Sequence, residues 1–144
     1  MHFFEQQSHH ATVAFAALLS TDIAVPPKAP VKYDHVLTNW GGAYDPSTGT
    51  FTAPYNGIYS ISFTLMGYPS NEVRLEVVKN GERISMVYTT PNIYPQSSET
   101  LHLILNKQDR IWIRNFSSNI TANLHDYKVY NVFSGILMRD VNMK

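Results

Sequence analysis

The chain contains no cysteine, which excludes a disulfide framework and a thiol nucleophile; it does not fix the compartment, because a sheet domain of this length can stand without staples. Excess charge of either sign is absent too. Lys and Arg total 11, Asp and Glu total 11, and the cations form no stripe, so the electrostatic footprint that nucleic acid or an anionic membrane surface demands is missing. No nucleic-acid partner is expected. No apolar run reaches the roughly 20 residues of a membrane span. The run Ala11 to Leu19 resembles a signal-peptide core, but its upstream flank carries Glu5 and histidines with no Lys or Arg, so it reads as a first strand. Membrane insertion is not expected, and a signal for secretion would have been removed before this numbering begins. The nucleophile elbow, the phosphate-cradling glycine loop and the helical zinc-protease signature are all missing. Catalysis is therefore not expected, and neither a collagen-like Gly-x-y repeat nor a heptad is present.

What the chain does contain is turn chemistry interleaved with alternation. Gly41-Gly42, Asp45-Pro46 with Thr48-Gly49, and Asn56-Gly57 are turn signals about eight residues apart, placing Gly or Asn where a backbone needs positive φ. After the last of them Tyr59, Ile61, Phe63 and Leu65 point one way and Ser60, Ser62 and Thr64 the other, the period of a half-buried strand. Val13, Phe15 and Ala17 alternate with Ala14, Ala16 and Leu18 in a first strand expected to be buried on both faces. Pro26, Pro27 and Pro30 force an extended crossing, and Lys32 to Leu37 reads as the next strand. Val73, Leu75 and Val77 alternate with Arg74, Glu76 and Val78 before Asn80-Gly81, a strong hairpin signal that returns the chain as Arg83 to Tyr88. Leu101, Leu103 and Leu105, then Ile111 and Ile113, continue the core, while Arg110, Trp112 and Arg114 take the other face. Ser117 to Tyr127 reads as a long loop or irregular hairpin, and Asn131 to Met138 as the final strand. Many short strands without helical periodicity predict an all-β sandwich or barrel. At 144 residues roughly two-thirds of the unfolded surface can be buried in one domain. Residues 1 to 10 form a loose lead-in and 11 to 140 the domain.

The ordered blocks Ala14-Phe15-Ala16-Ala17, Asn39-Trp40-Gly41-Gly42-Ala43-Tyr44-Asp45, Thr48-Gly49-Thr50-Phe51-Thr52-Ala53-Pro54 with Gly57-Ile58-Tyr59, Lys79-Asn80-Gly81 and Phe133-Ser134-Gly135-Ile136-Leu137 resemble the globular head of complement C1q and its relatives. The similarity covers Ala11 to Met138 and is most like invertebrate, especially molluscan, members. It implies a ten-stranded jelly roll of the tumour-necrosis-factor type, a secreted homotrimer, and ligand binding instead of catalysis. Some relatives hold calcium near the trimer apex, so calcium is a possible cofactor, although no acidic cluster here marks a site. The chain departs from the pattern at Gln108-Asp109, where relatives carry Gly-Asp, and in having no collagen stalk: either a head-only protein or a trimmed one.

The residues themselves limit the chemistry further. Asp22, Asp34, Asp45, Asp109 and Asp126 fall at turns or strand ends, where short carboxylates cap backbone donors. His2, His9, His10, His35, His102 and His125 are scattered, and a metal requires several ligands converging; a metal site stays unassigned. The aromatic and polar set Tyr68, Arg74, Tyr88, Tyr94, Arg114 and Tyr127 suits a carbohydrate, rings lying against the C–H face of a pyranose and an arginine fork against a carboxylate such as that of sialic acid. The same side chains on one sheet face equally suit contact between subunits, and Trp112 is the candidate for a trimer interface. Arg74 beside Glu76 also fits a solvated cross-strand pair. Asn115-Phe116-Ser117 and Asn119-Ile120-Thr121 are glycosylation sequons expected on a surface loop. The combination predicts an innate-immune lectin reading microbial or cell-surface glycans, with an adaptor or cytokine-like ligand for a protein receptor as the alternative and a metal-binding plasma protein as a third.

Overall fold

A computed structural model of the chain describes residues 11–69, 71–89, 95–126 and 129–141. The lead-in at residues 1 to 10, Tyr94 and Tyr127 lie outside them. In chain order the strands are β1 (Ala14–Leu18), β2 (Ile23–Val25), β3 (His35–Trp40), β4 (Tyr44–Asp45), β5 (Thr50–Thr52), β6 (Gly57–Met66), β7 (Val73–Lys79), β8 (Glu82–Thr89), β9 (Gln96–Leu105), β10 (Arg110–Asn115), β11 (Ala122–Leu124) and β12 (Val132–Asp140). Ten of them form two five-stranded antiparallel sheets, ordered β3-β1-β12-β6-β9 and β4-β5-β10-β7-β8, and β2 pairs with β11 in a short ribbon. This is the ten-stranded jelly roll expected, with one added ribbon.

Alternation decides what each sheet buries. Phe15, Ile61, Phe63 and Phe133 from the first sheet meet Tyr44, Phe51, Leu75, Val77, Ile111 and Ile113 from the second, all at most 3% exposed. Phe15 stacks on Tyr44 at 5.0 Å and on Phe51 at 4.9 Å, and Phe133 meets its edge at 4.9 Å. Gly135 stands directly opposite Phe15 in the β1–β12 register; a Cβ there would come within 2.6 Å of the Phe15 ring, so the ring's seat requires glycine.

The turn motifs acquire physical roles. Asn39 clasps the turn after β3 with both ends of its amide, donating to the Tyr44 carbonyl at 2.8 Å and accepting the Tyr44 N–H at 3.2 Å. Asn80 and Gly81 have φ of 52° and 94°, the two left-handed residues of a tight hairpin turn. All five aspartates singled out accept backbone N–H groups: Asp22 from Asp126, Asp34 from Ser20, Asp45 from Ser47, Asp109 from Asn106, and Asp126 from Tyr130.

Three boundaries and faces differ from expectation. The strand expected over Lys32 to Leu37 starts at His35, because Val31 to Tyr33 is still crossing between sheets: Val31 donates to the Ile113 carbonyl of the second sheet at 2.8 Å. The outer face of β1 is half-buried instead of buried, since among the described residues only one side of that sheet is covered by the other. Glu76, placed on the solvent side of β7 by alternation, is 1% exposed.

The departure at Gln108 is also visible. Gln108 has φ of 79°, the left-handed region that a glycine occupies without a Cβ clash. Its N–H donates to the Ala53 carbonyl at 2.7 Å, which holds the turn in that conformation. Gln108→Gly is expected to stabilise the domain by about 1 kcal/mol, raising Tm by roughly 3 °C. Thermal unfolding at one fixed protein concentration checks this; an unchanged or lower Tm refutes the strain.

Candidate functional site

The inner faces are filled, so recognition chemistry is left to the outer faces and loops. On the second sheet, strand register puts Arg114 opposite Glu76, Glu76 opposite Met86, and Arg74 opposite Tyr88. Phe116 continues the ladder past β10, its N–H donating to the Arg74 carbonyl at 3.0 Å. Arg74, Tyr88 and Arg114 are thereby gathered on one surface with Phe116.

Glu76 organises that surface. Its Oε2 accepts from Arg114 Nε at 2.6 Å and lies 3.6 Å from Lys28 Nζ, while Oε1 lies 3.7 Å from Arg83 Nη1. Three cations cover the carboxylate, which is why it is buried on a face that should be wet. Burying an ion is costly unless it is paired and hydrogen-bonded, and this one is both. The cations also surround a ring: Lys28, Arg74 and Arg83 lie 5.2, 5.9 and 5.4 Å from the Phe116 centroid, within cation–π range.

Beside this cluster a cleft of about 460 Å³ opens between the start of β7 and the loop 115–122, its lining including Lys28, Arg74 and Phe116 together with Ser118, Asn119 and Thr121. Its volume falls within the range of small-ligand sites, ~300–1,000 Å³. Asn115 fixes the loop: its buried amide donates to the Val25, Pro26 and Ile120 carbonyls and accepts the Ser117 N–H. Lys28 sits third in the turn Pro26–Ala29, closed by Ala29 N–H to the Pro26 carbonyl at 3.1 Å, with φ of 60°. A left-handed non-glycine residue stores backbone strain, here spent on aiming a cation at the cleft.

The residues singled out from sequence therefore divide. Arg74 lines the cleft, and Tyr88, 57% exposed, stands beside it across the strand pair. Arg74 pairs with Glu72, not with Glu76 as the sequence had it. Arg114 is only 21% exposed, and its Nε is bonded to Glu76 at 2.6 Å. Tyr68 belongs elsewhere, its hydroxyl donating to Asp22 at 2.6 Å and its ring 4.9 Å from His125. That hydroxyl, with the Asp126 N–H, holds the Asp22 carboxyl below its ordinary range. Trp112 is half-buried on the second sheet, with Arg110 5.8 Å from its ring. Asn119 is exposed on the cleft wall, whereas Asn115 is 1% exposed with its side-chain nitrogen donating to three carbonyls, unlike the surface position expected for a sequon. Among the described residues no three His, Asp or Glu side chains converge on one point.

Sequence reasoning missed Glu76, Lys28 and Phe116. The signal for Glu76 was cations on three separate segments, which only pairing brings together. Arg114→Ala is expected to destabilise the domain by about 2–3 kcal/mol, below the ~3–5 kcal/mol of a fully orphaned buried charge because Lys28 and Arg83 remain. Arg114→Ala combined with Glu76→Gln should recover most of that loss in chemical denaturation; no recovery would remove Glu76 as the cause.

Comparison with known proteins agrees with this architecture. The C1q domain family model matches residues 14–138. The chain is 29% identical over 110 residues to mouse complement C1q tumor necrosis factor-related protein 6, covering 74% of this chain and 42% of that protein. It is 29% identical over 129 residues to human complement C1q tumor necrosis factor-related protein 5, covering 87% and 53%. The chain thus spans about half the length of the curated relatives it matches. The globular domain of zebrafish complement 1qA superposes with a TM-score of 0.75 at 21% identity, covering 91% of this chain and 100% of that one. Eiger TNF from S. frugiperda superposes with a TM-score of 0.71 at 13% identity over 93% and 96%, a likeness of fold alone. With its strand order, its turn blocks and a family match over residues 14–138, this chain belongs to the C1q domain family, a family of non-catalytic recognition and ligand proteins.

Proposed function

We propose that the chain is a secreted, homotrimeric recognition protein that binds carbohydrate, including acidic glycans, on microbial or cell surfaces. The observation that carries the ligand class is the cleft: two cations, an aromatic ring and exposed Ser118, Asn119 and Thr121 around one small volume. Ring, fixed charges and hydroxyls are the three things a charged sugar requires. No helix among the described residues is long and apolar enough to cross a membrane.

The outer face of the first sheet supports self-assembly. Trp40 stands opposite Ala14, which stands opposite Ile136, and Ile58 stands opposite Ile104. Trp40, Ile104 and Met138 are each more than 60% exposed, whereas the other sheet's outer face carries the charged cluster. Contiguous apolar surface of this kind marks an interface, and a trimer through it leaves Trp112 and the cleft outside. Three clefts on one rigid head raise weak single-site affinity, since the second and third contacts occur at high effective concentration.

A protein receptor is the second reading, favoured by Ile84, Met86 and Tyr88 exposed along β8, the free edge of the second sheet. A glycan-array screen with and without chelator, beside light scattering, separates the two. The expected result is selective glycan signal from a species of three 16.3 kDa chains; a trimer with no glycan signal favours the receptor. Ile136→Glu is expected to convert the trimer to monomer while preserving the far-ultraviolet spectrum of the sheet, and a persistent trimer would exclude this face.

A further inference from the structure

Two acid–arginine pairs sit one residue pair apart on β7 and its approach, and they differ in kind. Glu76 is buried and locked to Arg114. Glu72 lies at the cleft, where its Oε1 accepts from Arg74 Nε at 2.7 Å and lies 2.7 Å from Nη2, with side chains 43% and 49% exposed. An exposed pair of this type contributes only about 0–1 kcal/mol, so another carboxylate can replace Glu72 at little cost. Replacing Glu76 would strand a buried charge.

Arg74 does not rely on Glu72 for its place. Its guanidinium lies over Phe116 and its carbonyl accepts the Phe116 N–H. Lys28 approaches the same ring at 5.2 Å and is about half exposed. If Glu72 leaves, Arg74 loses its paired acid and its Nε–Nη2 edge is freed beside a cleft of a sugar's size that Lys28 also lines. That edge is one of the fork geometries that match a carboxylate.

We infer that Glu72 is an internal stand-in for the ligand's acid group: the cleft takes a carboxylate-bearing sugar whose oxygens displace Glu72 from Arg74, and Glu72 sets the threshold for charged ligands. This inference rests on the carbohydrate reading and adds the residue that governs its selectivity. Glu72 acts in two ways, by occupying Arg74 and by repelling an incoming anion. Neutral sugars meet neither effect, because they need no free guanidinium edge. Binding of the acidic sugar is correspondingly weakened by salt, since the cations involved are partly exposed.

Glu72→Gln keeps side-chain length and removes the charge, and its exposure leaves folding intact. The test is calorimetric titration of the full chain and of Glu72→Gln with 3′-sialyllactose and with lactose, Arg74→Gln serving as the loss-of-site control. The expected result is roughly two- to fivefold tighter sialyllactose binding in Glu72→Gln, the equivalent of ~0.5–1 kcal/mol, with lactose binding unchanged and sialyllactose binding lost in Arg74→Gln. Detectable sialyllactose binding only in Glu72→Gln equally supports the stand-in. Unchanged or weaker sialyllactose binding in Glu72→Gln, or equal gains for lactose, overturns it while leaving carbohydrate recognition standing. Binding of neither sugar by any variant overturns both. A preference for lactose 3′-sulfate over sialyllactose would overturn the assignment of a carboxylate.

Discussion

The aromatic joint between the two sheets is the contact on which the molecule depends. Phe15 lies face to face with Tyr44 and Phe51 of the opposite sheet and stands nearly at right angles to Phe133 of its own. Rings packed at these distances contribute more than their buried area, about 0.5–1.5 kcal/mol per pair, but their larger consequence is geometric. They hold the sheets in one relative placement, and Gly135 is the vacancy in β12 that lets Phe15 sit there. Once those inner faces are spent on each other, every strand has one face left, and function must come from what the alternation turned outward.

The two outward faces then diverge. The first sheet shows Trp40, Ile58, Ile104 and Ile136 in neighbouring rows, a surface whose stability improves when another copy covers it. The second sheet shows ions, arranged around one carboxylate. Glu76 pulls in Arg114 and Lys28 from distant segments and Arg83 from the hairpin partner strand β8, and the resulting cluster frames Phe116 and the cleft. A buried ion pair is weak evidence for stability; its role here is placement, because long cationic side chains that would otherwise sample many rotamers are tied to one point. Lys28, with its left-handed backbone, is a second sign that position rather than stability is served at this corner.

Sheet class, hairpins and most strand faces were legible because β structure writes itself locally. Period-two alternation, Asn80-Gly81 and the Asn39-to-Tyr44 turn act over a few residues, so their physics is contained in a few letters. The misplaced start of β3 has the opposite character: Val31 to Tyr33 is extended and buried like a strand, and only its bond to Ile113 in the other sheet shows that the chain is still crossing. The candidate site was half legible for the same reason. Residue type and face picked out Arg74 and Tyr88, whereas the pairing of Arg114 with Glu76 depends on register.

By itself, then, the sequence determined an antiparallel sandwich with filled inner faces, its hairpin turns, its capping aspartates, and through five ordered blocks its family. Tertiary structure alone decided which charges are spent and which are available. Arg74 and Arg114 look equivalent on alternating strands, yet one meets an exposed Glu72 and the other a buried Glu76; Asn115 and Asn119 carry the same tripeptide signal, yet one amide is sealed under the loop it organises and the other is exposed. The physical reason is that Glu76 reaches Arg114 across 38 positions of sequence and Asn115 reaches Val25 across 90, whereas Arg74 finds Glu72 two residues away; burial, which no local pattern encodes, is what separates the two pairs.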